Sequence, residues 1–74
     1  MTISEKIRVR RKQLGWTQQQ LADEVRRIGG GGCSKSLVYQ WEHGKSMSRA
    51  MLERVAAALR CSVELVPLGD RAHE

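Results

Sequence analysis

The sequence predicts a mainly all-α domain of four helices, closed by a short C-terminal β-strand. Three observations predict it. Helix-start signals of the S/T-x-x-E and S/T-x-x-Q type stand at "TISE" and "TQQQ". A glycine, or a run of them, follows each of the first three candidate helices. Between these marks Leu, Val, Ile and Ala recur at helical rather than alternating spacing.

The first helix starts from the capping box Thr2–Glu5, carries Ile3, Ile7 and Leu14 at helical spacing, and stops at Leu14-Gly15. The second starts from the box Thr17–Gln20 and buries Leu21, Val25 and Ile28. Gly29 to Gly32 end it. Ser34 caps the third helix and Gly44 ends it. Ser48 caps a fourth, in which Leu52, Val55, Ala56 and Leu59 form a stripe. In "CSVELVPLG" the apolar residues alternate, Val favours strands and Pro67 forbids a long helix. A short strand is expected there, with a single helical turn as the alternative. The domain is thus expected over residues 1–68, with 69–74 a frayed tail.

Seventy-four residues support one small core. With Trp16, Tyr39 and Trp41 the only aromatics, that core must come from Leu, Val, Ile, Met and Ala. The net charge of +5 suggests a polyanionic partner. No apolar run is long enough to span a membrane, and the basic start "MTISEKIRVRRK" is unlike a secretory leader, so a cytoplasmic protein is expected. Cys33 and Cys61 lack CxxC spacing and read as small buried thiols. His43 and His73 have no companions at ligand spacing, so neither a metal nor a cofactor is expected. No nucleophile–base pair or paired carboxylates support an enzyme.

Two helices around a turn, flanked by others, make a helix-turn-helix arrangement with the segment 34–43 as its third helix. At 100° per residue, Lys35, Ser36, Tyr39, Gln40 and His43 share an arc of roughly 140°. Trp41, Leu37 and Val38 lie opposite, with Glu42 at the border. Such a polar arc is often idle solvated surface. Here it lacks the Glu/Lys alternation of an idle helix and holds residues that read base edges: Gln for adenine, Lys for guanine, Ser for either. Tyr39 can offer its hydroxyl to a phosphate or its ring to a thymine methyl. Trp41, on the apolar side, reads as core rather than as an intercalating wedge.

The stretches "IRVRRKQLGWTQQQLADEV", "SKSLVYQWEHGKS" and "MLERVAAALRCSVELV" resemble the Cro/C-repressor or XRE type of helix-turn-helix, which has the lambda-repressor-like fold. The ordered set Arg11, Leu14-Gly15, Thr17-Gln18, Leu21-Ala22, Trp41-Glu42, Gly44 and "VAAAL" carries the resemblance. It implies a sequence-specific DNA-binding regulator, acting as a phage Cro-like repressor does by occupying an operator. Base reading falls by position on Lys35, Ser36, Tyr39 and Gln40. Phosphate contact falls on Thr17, Gln18, Lys45 and Ser46. Arg49 stands where the family often has Pro and adds a charge able to reach the DNA backbone. Arg60 stands where it often has Gly. Arg11, alone on an apolar stripe, is implied to pair with Glu42 and so orient the third helix.

The resemblance further implies double-stranded DNA as the partner and a homodimer, with no small-molecule ligand. An apolar edge strand is a liability unless paired, so the segment 61–68, with Val63, Leu65, Val66 and Leu68, is the candidate dimer contact. The turn "RRIGGGGC" is longer than the family's. Helix two is expected to run on through Arg26-Arg27, with the glycines either a tolerated insertion or a loop that hugs a phosphate. An antitoxin-type protein-interaction module that also binds DNA is the alternative function.

Overall fold

The computed structural model describes residues 2–29, 32–62 and 65. Its helices are α1 (Ile3–Gln13), α2 (Gln18–Gly29), α3 (Lys35–Glu42) and α4 (Arg49–Ala58). Each start is capped where the sequence places the cap. Thr2 N–H donates to Glu5 Oε1 at 2.9 Å, and Glu5 N–H donates to Thr2 Oγ1 at 3.2 Å. Thr17 and Gln20 repeat the exchange at 2.7 and 3.1 Å. Ser34 Oγ accepts from Leu37 N–H, and Ser48 Oγ accepts from Met51 N–H.

Three helices end in the same way. After α1, Trp16 N–H donates to Arg11 O and Gly15 N–H to Lys12 O. After α3, Lys45 N–H donates to Gln40 O and Gly44 N–H to Trp41 O. After α4, Cys61 N–H donates to Ala56 O and Arg60 N–H to Ala57 O. This is the paired 6→1 and 5→2 bonding of the Schellman motif, which needs one left-handed residue past the helix end. Gly15 and Gly44 supply it at φ +75 and +103. Arg60 supplies it at φ +60, a conformation that costs a side-chain-bearing residue about 1–2 kcal/mol.

The second helix packs against both α3 and α4, and α1 packs against α3. Ile7, Leu21, Ala22, Val38, Val55 and Leu59 are fully enclosed, and Trp41 lies in the same core. Two expected core residues are outside it. Ile3, in the first turn of α1, is 46% exposed, and Ile28 is 40% exposed. Four residues past Val25 the inward position of α2 falls on Gly29, not Ile28. Arg54 of α4 lies across that glycine, so closely that a Cβ there would sit 2.6 Å from Arg54 Cδ. Helix two does continue through Arg26 and Arg27.

The predicted C-terminal strand receives no support. Residues 63, 64 and 66–68 lie outside the described residues, as does the tail 69–74. At Leu65 the chain is turned rather than extended: φ is +63, and its N–H donates to Ser62 O at 2.7 Å.

Candidate nucleic-acid interface

The two sides of α3 differ as their spacing requires. Val38 and Trp41 are buried, and Leu37 packs partly against the core. Lys35, Ser36, Tyr39, Gln40 and His43 are exposed. Together with Gln18 at the start of α2, the first four of these line one shallow depression. The structure therefore brings all four predicted base-reading residues, and one predicted phosphate contact, to a single surface.

Beneath that surface α3 is anchored by a polar network. Arg11 Nε donates to Glu42 Oε2 at 2.6 Å and Arg11 Nη2 to Glu42 Oε1 at 3.1 Å. The pair is thus bidentate, the geometry in which guanidinium and carboxylate fit best. Arg11 Nη1 donates to Trp16 O at 2.8 Å, and Gln18 Nε2 donates to Glu42 Oε1 at 3.2 Å. Only 1% of the Glu42 side chain and 11% of the Arg11 side chain meet solvent. One carboxylate thereby ties α1 and the start of α2 to the last turn of α3.

On the outer face two further contacts fix side chains. His43 stacks on Tyr39 with ring centroids 3.9 Å apart and planes 24° apart. His43 Nδ1 lies 2.8 Å from Tyr39 O, and because a carbonyl only accepts, the proton sits on Nδ1. One face of the tyrosine is thus covered, leaving its hydroxyl and other face outward. Lys45 Nζ donates to Gln40 Oε1 at 3.1 Å.

The remaining predicted phosphate contacts are dispersed. Thr17 is committed through its Oγ1 to capping α2, yet the helix start leaves the N–H groups of Gln18 and Gln19 without intrahelical acceptors. Arg49 leans along its own helix to Glu53 at 3.4 Å. Ser46 is exposed on the loop before α4. With Lys45 it borders a wider open depression of about 660 Å³, between that loop and the start of α1. Arg26 pairs with Asp23 at 2.6 Å and Arg27 pairs with Glu24, so their charges are partly offset on α2 itself. Arg27 accordingly holds the Glu24 carboxyl below its usual range. The Cys33 thiol is pushed above its usual range by burial.

Leu65 is only 6% exposed and belongs to the core of its own chain, not to a surface for a second copy. Val63, Val66 and Leu68 lie outside the described residues. Arg10 was missed by sequence reasoning: its Nε donates to Leu59 O at 2.9 Å, closing the end of α4 from α1 across 49 positions. Among the described residues no three His, Cys, Asp or Glu side chains are grouped to hold a metal, and no helix is long and apolar enough to cross a membrane.

Comparison with known proteins agrees with this geometry. The Helix-turn-helix family model matches residues 7–66. The chain is 42% identical over 67 residues to the competence pilus inhibition repressor of Acinetobacter baylyi, the match covering 89% of this chain. It spans only 56% of that relative's length. No solved structure matches. The match from Ile7 to Val66 takes in most of α1, all of α2, α3 and α4, the Thr17–Gln20 capping box and the buried Arg11–Glu42 pair: the chain belongs to the XRE-type helix-turn-helix family.

Proposed function

We propose that this chain is a sequence-specific DNA-binding transcriptional regulator, a small Cro-like repressor that occupies operator DNA with α3 in the major groove. The observation that carries it is the division of α3. Its back is buried and tied down through Glu42, while Lys35, Ser36, Tyr39 and Gln40 form one outward polar face. These side chains can hydrogen-bond to base edges, and a helix held from behind presents them in a fixed register. The N–H groups at the start of α2, with the net charge of +5, suit the phosphates alongside. Membership of the family and the repressor named among its relatives support the reading.

The regulator acts as a homodimer, two recognition helices meeting half-sites about 34 Å apart, one turn of DNA. Leu65 is set aside as a contact, because it is already enclosed; Val63, Val66 and Leu68 stay as candidates. The test is selection of bound duplexes from a random library at moderate salt. A single enriched palindrome is expected. Uniform, salt-sensitive retention of all sequences would mean that the charge alone binds, and a protein partner would then be the better reading.

A further inference from the structure

We infer that Lys45 and Gln40 act as one recognition unit that presents mainly donors, and that this unit selects guanine at the base pair facing Gln40. The inference rests on the reading of α3 as the DNA-reading helix and adds the base it reads.

The pairing is built into the end of α3. Gly44, at φ +103, turns the chain back so that Lys45 N–H reaches Gln40 O at 3.0 Å. In a Schellman motif these two residues are the ones whose side chains meet, usually through an apolar contact. Here the contact is polar: Lys45 Nζ donates to Gln40 Oε1 at 3.1 Å. A lysine ammonium has no acceptor, so it can meet only the oxygen of the amide, and this fixes which way the amide points. Both side chains are exposed, and Gln40 lines the depression with Lys35, Ser36, Tyr39 and Gln18.

A free glutamine reads adenine by accepting from N6–H and donating to N7. With Oε1 engaged by a cation, one of its two lone pairs is taken, and an amino group approaching the other would meet the ammonium beside it. The unit keeps the Nε2 hydrogens and the remaining Nζ hydrogens. Guanine offers O6 and N7, both acceptors, which match two donors side by side. Lys45 is therefore a specificity-determining residue rather than one more phosphate contact.

The experiment is duplex selection with the wild type, Gln40→Ala, Lys45→Met and Lys45→Arg, followed by competition binding at the one position that responds to Gln40→Ala. Expected is guanine at that position in the wild type, favoured over adenine by roughly 5- to 150-fold. Lys45→Met should relax that preference or turn it to adenine while the rest of the motif stands, and Lys45→Arg should keep guanine. All three substitutions are surface changes, and melting by circular dichroism confirms equal folding. Adenine in the wild type, or no position responsive to Gln40→Ala, overturns the inference. So does a Lys45→Met variant with unchanged base preference, uniformly weaker binding and a salt slope lower by about one, which marks a phosphate contact. Absence of any enriched motif overturns the DNA reading beneath it instead.

Discussion

Replacing Glu42 by Gln isolates the anchor of α3. The substitution keeps the shape of the side chain and removes its charge. Glu42 accepts from Arg11 Nε, Arg11 Nη2 and Gln18 Nε2, and its side chain is 1% exposed. The glutamine can accept at its one oxygen, but its amide nitrogen would face a guanidinium N–H, donor against donor. Arg11 keeps its bond to Trp16 O and one to the new amide oxygen at most, and stays enclosed with an unmatched charge. Breaking a buried pair in this way costs about 3–5 kcal/mol. A domain of this size has about 4–11 kcal/mol in all. At about 4–8 °C per kcal/mol, the melting temperature should fall by at least about 12 °C. Thermal melting followed at 222 nm measures it. A Glu42→Gln variant melting within about 3 °C of the wild type would refute the reasoning. Arg11→Met combined with Glu42→Leu should recover most of the loss, since apolar replacements of a buried pair are often neutral. If the pair orients α3, this folded double variant should still bind its operator less selectively.

Arg60→Gly should raise the melting temperature by about 4 °C or more, by removing about 1–2 kcal/mol of left-handed strain; an unchanged melting temperature would contradict that strain. The Glu5 carboxyl is held below its usual 4.5, chiefly by the donated Thr2 N–H. Its stabilisation is therefore present above 4.5 and fades as pH falls through the lowered native value. The melting-temperature gap between wild type and Glu5→Gln should be open at pH 6 and narrow as pH falls below 4.5, and a gap independent of pH would contradict the assignment. Cys33 is buried and its thiol is hard to ionise, so a thiol reagent at pH 8 should modify it only as the chain unfolds. Rapid reaction of Cys33 in the native state would contradict its enclosure.

Much of the fold is local and was therefore legible. A capping box needs only residues three apart, and both boxes close where Thr2–Glu5 and Thr17–Gln20 stand. The two faces of α3 follow from its 100° rotation alone. What escaped was set by other parts of the chain or by an unusual residue. Arg60 hides a Schellman ending because glycine is its ordinary signal. Ile28 stays outside the core, while at Gly29 Arg54, 25 positions on, lies over the helix end. Arg10 finds its acceptor on Leu59 at still greater separation. At the candidate site the residue types were readable, whereas the bond that restricts Gln40 depends on where Gly44 turns the chain.

The measurement closest to the central claim is an NMR titration of the labelled chain with the enriched duplex. Shifts should concentrate on the amides of Lys35, Ser36, Tyr39 and Gln40, on the start of α2 at Gln18 and Gln19, and on the side-chain amide of Gln40. Shifts gathered instead on α4 and the outer face of α1, with α3 unmoved, would contradict the account.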